Sequence, residues 1–344
     1  MLDLEFSTGD LARTRFACSP LWECVAALRA LRQPAAHALH RPWLAVAAPR
    51  VAELRSSERI ALLDALVPPP PRALPSFLAP TPAVPSPDLD DEFAALRAVP
   101  AEEVRAELDR TCGVRTASLR ELYARPSSGL DRLAGEIRAF WEAALAEDWP
   151  RVRALLEADV LYRAREQTDG GPARLFNALD PAIRWRGDTL SIRLVHHSAA
   201  QRLDGRGIVL VPSAFAWPRV LVKTGPVWPV TVRYPPRGVG LLWTTDRPAA
   251  PDALAGVLGA TRAMLLTALT SPASTTDLAR RLRLSPGAVS QQLTALRAAG
   301  LVTAQRSGRY VLYTRTAVAD AFLTAAGARG AERRYQPAPT GAWL

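Results

Sequence analysis

Lysine is almost missing from this chain. Lys223 is the single lysine among 43 basic residues of a 344-residue sequence, so nearly all positive charge sits on arginine, a choice that reflects codon supply in a GC-rich bacterial genome rather than function. Cysteine is scarce too. Cys18, Cys24 and Cys112 form an odd set without the spacing of a disulfide framework, which implies a reducing, cytoplasmic setting. They make a poor metal site, because Cys18 and Cys24, at i and i+6, do not share a helical face. His37 with His40, and His196 with His197, offer ligand spacing, but satisfied or exposed imidazoles are the expectation, so no metal is assigned. No uninterrupted apolar run suggests a membrane span. The opening Met1–Phe6 lacks the basic and apolar regions of an export signal. A glycine-rich phosphate loop, a Gly-x-Ser-x-Gly elbow and a metal-ligand cluster at catalytic spacing are all missing, so the chain is not expected to be an enzyme and no cofactor is assigned.

What is present is an unevenly placed charge. The net charge is +10, and residues 252–344 hold eleven arginines against four acids, leaving only +3 for residues 1–251. A basic C-terminal segment is the footprint expected for phosphate contact. With 49% hydrophobic residues, the chain can build two domains.

Residues 2–8 alternate as an opening strand, and Leu11–Leu31 reads as an amphipathic helix restarting at Ser19-Pro20. A further helix is expected over Ser56–Leu66 with Ser57 as cap. Nine prolines between Pro68 and Pro87 exclude helix and sheet; the loop 68–87 either wraps the domain or is a mobile linker, with Phe77, Leu78 and Val84 packing down. Asp88–Ala164 is helical again, capped by Asp88 or Asp90 and restarting at Pro100. The charges Arg151, Arg153, Glu157, Asp159, Arg163 and Arg165 are expected on a mostly solvated face. Near Thr168–Pro172 the period switches to strand-like runs over 190–196, 207–211, 219–224, 230–234 and 239–244. An antiparallel sheet on a helical body makes residues 1–247 an α+β domain. Trp217, Trp228 and Trp243 fall on neighbouring runs, where they either line a pocket for an apolar or aromatic ligand or, more commonly for such residues, fill core.

Beyond a hinge at Arg247–Pro251, residues 252–326 form a second pattern. Leu254, Leu258, Met264, Leu265 and Leu269 mark one amphipathic helix. Leu278 and Leu282 mark the next, capped by Thr275 or Thr276. Ser285 then caps a helix with Pro286 at its first position, Val289, Leu293 and Leu296 on one face, and Gly300 as its stop. Helix, tight turn and capped helix is a helix-turn-helix, whose second helix enters the major groove. Two strands around Ser307-Gly308 supply a basic wing. A helix over Thr316–Ala326 closes the domain, and 327–344 reads as a flexible tail.

The run Asp277-Leu278-Ala279, Leu284-Ser285-Pro286, Val289-Ser290, Leu293, Leu296, Ala299-Gly300-Leu301-Val302 and Gly308-Arg309-Tyr310 resembles the ArsR-type winged-helix repressors. More loosely, Gly207–Ser213, Phe215–Pro218, Tyr234–Gly238 and Trp243 resemble the N-terminal half of long actinobacterial ArsR-like regulators, a domain without assigned chemistry. The resemblance implies a homodimer formed through 252–269 and 316–326, and hence an inverted-repeat operator. It also implies metal sensing by cysteines at the start of the motif, but Ser274-Thr275-Thr276 stand there instead.

At about 100° per residue, a buried Val289/Leu293/Leu296 face turns Gly287, Gln291, Thr294 and Ala298 outward, with Ala288 and Ser290 beside them. Gln291 is the first choice for reading a base, bidentate to adenine. The resemblance brings in Ser290 and Gln292, the latter where relatives often hold histidine; by geometry Gln292 reaches the groove edge at best. Arg280, Arg281, Arg283, Arg306 and Arg309 are candidates for phosphate, with Thr276, Ser285 and Ser307 completing the surface. The expected partners are double-stranded DNA, a second copy, and a small-molecule or protein effector at the N-terminal domain. An architectural DNA-binding protein, or a ligand-binding module whose winged helix contacts proteins, are the alternatives.

Overall fold

Side-chain caps decide where the first helices begin. The Ser7 hydroxyl accepts from the Asp10 amide while Asp10 accepts from the Ser7 amide, a reciprocal box that starts a short helix at once after the opening strand. Ser19 caps the next helix with Pro20 at its first position. Asp88 and Asp91 repeat the box. The computed structural model describes residues 1–69, 72–112, 116–194, 199–225, 228–243, 252–269, 272–307, 310–316 and 318–323. The chain divides into two units, Met1–Trp243 and Thr244–Leu344.

The first unit runs β1 (Leu2–Glu5), α1 (Thr8–Arg13), β2 (Arg15–Phe16), α2 (Pro20–Arg32), α3 (Arg41–Ser56), α4 (Ala61–Leu66), α5 (Leu89–Arg97), α6 (Ala101–Thr111), α7 (Ala117–Ala124), α8 (Pro126–Ala144), α9 (Trp149–Asn177), β3 (Ile183–Arg186), β4 (Thr189–Ile192), β5 (Ala199–Arg202), β6 (Ile208–Pro212), β7 (Leu221–Lys223) and β8 (Val230–Tyr234). One core is helical, built from α2 to α8 around Leu21, Leu28, Leu63, Phe93, Leu133 and Phe140. A second joins the end of α9 to the strands through Phe176, Leu4, Leu190, Ile208 and Val232.

The α+β class holds, but the sheets are mixed where antiparallel pairing is the sequence expectation. They order as β3-β4-β1-β5 and β2-β6-β8-β7. β1 lies parallel to β5, and β6 lies parallel to both β2 and β8. Every residue of β6 and β8 is buried, as parallel strands covered on both faces require. Gly207 enters β6 at φ +66°, and a Cβ there would lie 2.8 Å from the Arg13 backbone, so only glycine fits. Its amide donates to Asp10 Oδ1 at 2.8 Å, tying α1 to the sheet.

Several expectations are corrected here. Residues 14–19 leave the helix, because Arg15–Phe16 pair with β6. Ser57 closes a helix instead of opening one: it is the C-cap of α3, which holds Pro42 and Pro49, and its hydroxyl donates to Glu53 O at 2.8 Å, while α4 starts after Ile60. The 239–244 run forms a 3₁₀ turn over Val239–Leu241 rather than a strand. The run from Leu190 pairs only to Ile192, and His196 and His197 lie outside the described residues. The proline-rich segment wraps the unit: Pro85 O accepts from the Cys18 amide at 2.8 Å, Pro82 O from Arg15, and Thr81 Oγ1 lies 2.8 Å from Thr231 Oγ1. Phe77 and Leu78 are buried in it, whereas Val84 is exposed. Asp159 and Arg163 are not solvated; they form a buried pair at 3.4 Å, with the Arg237 amide on Asp159 Oδ1 at 3.0 Å.

The second unit runs α10 (Asp252–Leu258), α11 (Ala260–Ala268), β9 (Ala273–Ser274), α12 (Thr275–Leu282), α13 (Pro286–Ala298), β10 (Val302–Ser307) and β11 (Tyr310–Arg315), then helical residues 318–323. Gly259, at φ +82°, splits the expected single helix into α10 and α11. Ser274, not Thr275 or Thr276, caps α12. The strands order β10-β11-β9, and Leu278, Leu282, Val289, Leu293 and Leu296 share one core with α11. The tail 327–344 lies outside the described residues.

Candidate nucleic-acid interface

The turn between α12 and α13 is fixed by backbone geometry. Arg283 sits in the left-handed region at φ +54°, and the Leu284 amide donates back to Ala279 O at 2.9 Å. Ser285 then leads with its hydroxyl, which accepts from the Ala288 amide at 3.2 Å. With the start of α13 so fixed, Val289, Leu293 and Leu296 are buried and Gly287, Ser290, Gln291, Thr294, Arg297 and Ala298 are exposed. Ala288 is half-buried. The exposed face carries no carboxylate, and its side chains are small or neutral apart from Arg297. The Thr294 hydroxyl donates to Ser290 O at 2.9 Å, within its own helix.

Two sequence-chosen residues are engaged elsewhere. Gln292 is half-buried, and its Oε1 accepts from Arg262 Nε at 2.9 Å, so it braces α13 against α11. Arg281 is half-buried, and its Nη1 donates to Ala268 O at 2.9 Å; burial lowers its pKa. It satisfies the C-terminal carbonyl of α11 instead of standing free for phosphate. Thr276, Arg280, Arg283, Ser285 and Arg306 are exposed. Arg280 shares its charge with Asp277 at 2.9 Å, an acid that also accepts from Ser274 Oγ at 2.6 Å. Arg306 lies on β10 opposite Val311. Arg309 and the Ser307 side chain lie outside the described residues. Arg297 was not among the sequence candidates; its signal is a lone cation in the last turn of the recognition helix, next to an exposed face.

In the first unit, the three chosen tryptophans have different surroundings. Trp243 is buried, stacks with Trp43 at 6.3 Å and donates Nε1–H to His40 Nδ1 at 2.7 Å. That bond puts the neutral ring's proton on Nε2, which donates to Ala214 O at 3.1 Å. Both ring nitrogens are spent, and burial pushes the His40 pKa down to about 4. Trp228 instead donates to Glu103 Oε1 at 2.6 Å, and Trp217 packs at the edge of the helical core. Neither of the two cavities described in this unit is lined by any of the three; Trp22 lines both.

Residues 260–304 match the family described as bacterial regulatory protein, arsR family. Residues 115–239 match a family of unknown function, DUF5937. No curated protein and no solved structure matches the chain. Among the described residues, no helix is long and apolar enough to cross a membrane.

Proposed function

We propose that this chain, an ArsR-type regulator with an N-terminal domain of unknown function, is a sequence-specific repressor that binds an inverted-repeat operator as a homodimer. The observation that carries the reading is the exposed face of α13: Gly287, Ser290, Gln291 and Thr294 without an acid, bordered by the exposed Arg280, Arg283, Arg297 and Arg306. Small residues let the helix 286–299 approach the groove floor. Gln291 reads a base edge, and the arginines, with Thr276 and Ser285, take phosphates on either side. Gln292 contributes by holding the helix orientation through Arg262.

The dimer reading rests on apolar side chains that no element covers among the described residues. Val257 on α10 is 69% exposed, and Val318 and Phe322, four apart on the closing helix, are 58% and 43% exposed. Leu323 on that same helix packs against the Leu254/Ala263 cluster, so the helix is seated and its outer face is what remains for a second copy.

A footprint of the purified chain on the DNA upstream of its own gene, at physiological salt, tests the proposal. Protection of a short inverted repeat, with an operator preference of about 10³ or more over random duplex, supports it. Diffuse protection that disappears with salt would indicate an architectural protein, and no protection would move the activity to the N-terminal domain.

A further inference from the structure

The one lysine of the chain is buried beside a buried arginine, and among the described residues neither is paired with an acid. Lys223 on β7 is 7% exposed and Arg233 on β8 is 5% exposed. Both donate to the same acceptor, Ala79 O, each at 3.2 Å. Their other neighbours are indole faces: Lys223 Nζ lies 4.3 Å from the Trp228 ring centre, and the Arg233 guanidinium 4.0 Å from that of Trp22. Arg233 Nε has no hydrogen-bond partner. The acids nearest in electrostatic effect, Glu92, Glu103 and Glu107, are each occupied: Glu92 by Ser19 Oγ and the Leu21 amide, Glu103 by Trp228, Glu107 by Arg110 and the Ser76 amide. Two buried cations sharing one neutral oxygen are costly, and an anion close by would offset that cost.

Space for an anion exists. Both side chains line a cavity of about 410 Å³, together with Arg29 and Arg110, and among the described residues no acid lines it. Arg29 adds a second unpartnered Nε. A neighbouring cavity of about 240 Å³ shares Arg29 and is bordered by His37, Arg72 and Arg219, again without an acid among the described residues. The larger cavity also has an apolar wall of Trp22, Val25, Leu78 and Leu221, which a bare inorganic anion would leave uncovered. Pockets that combine an apolar wall with a few convergent polar groups suit organic ligands.

We propose that this cavity binds a small organic anion whose charged end meets Lys223 and Arg233 and whose apolar body lies against Trp22. The site stands apart from the DNA-binding reading, and failure of either leaves the other intact.

The test is calorimetric titration of the full chain with matched acid and amide pairs: indole-3-acetate with indole-3-acetamide, octanoate with octanamide, benzoate with benzamide. Inorganic phosphate is titrated alongside. The expected result is saturable binding of at least one carboxylate, tenfold or more weaker for its amide, and weaker again by tenfold or more in Lys223→Met and Arg29→Met. Arg233→Met removes a fully packed group, so its folding is checked by circular dichroism, and the other two variants carry the test without it. Equal binding of acid and amide, phosphate as strong as the carboxylates, no binding by any carboxylate, or indifference to Lys223→Met and Arg29→Met would each overturn the proposal.

Discussion

Gln291 and Arg306 are both exposed and polar, yet they do different work in the proposed complex, and substitution separates them. A glutamine bidentate to one base should lose about 1–3 kcal/mol on the operator when cut to alanine, and lose selectivity at one base pair. Arg306→Ala should weaken binding alike on operator and random duplex, and reduce the slope of log affinity against log salt by about one. Fluorescence anisotropy on both duplexes across a salt series reads the difference; parallel losses in the two variants would remove this division of roles.

Lys223 makes a prediction of its own. Burial first, then Arg233, pushes its pKa from 10.5 down to about 7, while Glu103 and Glu107 act the other way; Arg29 and Arg110 also face the same cavity. Between about pH 7 and 10.5 the unfolded chain holds a proton that the folded chain has released, so this group makes stability rise with pH, by at most about 1.4 kcal/mol per unit. Lys223→Met should therefore be more stable than the parent at pH 7, with the gap closing as pH rises. Urea melts of both proteins from pH 7 to 8.5 check this. The comparison cancels Cys18, whose thiol burial pushes up to about 12 and which acts in the opposite sense above pH 9.

At the scale of elements, α13 depends on its start. Ser285→Ala removes the acceptor for the Ala288 amide and should cost about 1 kcal/mol of stability in the second unit, with a larger proportional loss of operator affinity because the reading face is set by that first turn. Chemical denaturation and anisotropy on the same variant separate the two effects. This helix was legible in the sequence because Ser285, Pro286 and the Val289/Leu293/Leu296 spacing are local signals and tertiary contacts agree with them. The α12 cap was read one or two residues late, at Thr275 or Thr276, since Ser274 also pairs as the end of β9. In the first unit the signals conflict. β6 is apolar throughout, whereas β8 alternates as Val230-Thr231-Val232-Arg233-Tyr234, the pattern of a half-solvated antiparallel strand; that Thr231 and Arg233 are buried, and that the order is parallel, is visible only once β6 and β8 are side by side. Pro42 and Pro49 hid α3. The Asp159–Arg163 pair reads as surface because charge in a sequence carries no record of what later covers it. The same holds for the candidate site. Gln291 could be chosen from helical phase, while the engagement of Gln292 by Arg262 and of Arg281 by Ala268 needed the fold.

For the whole molecule, the decisive property is assembly. An inverted repeat presents two half-sites about one helical turn apart, and a monomer can occupy only one. The second unit leaves Val257, Val318 and Phe322 exposed on α10 and the closing helix, and a second copy packed there would remove them from water. Phe322→Glu places a charge on that face, where burial without a partner is costly, yet in the monomer the position is exposed, so folding should be unchanged. Sedimentation velocity should show the parent as a dimer and the variant as a monomer. On DNA, the variant should fall to the affinity of one half-site and become insensitive to the spacing between repeats, whereas the parent should lose binding when the spacing is altered by half a turn. Should Phe322→Glu remain dimeric and keep its spacing dependence, the dimer contact lies elsewhere on the chain and these helices are not what sets the operator's symmetry.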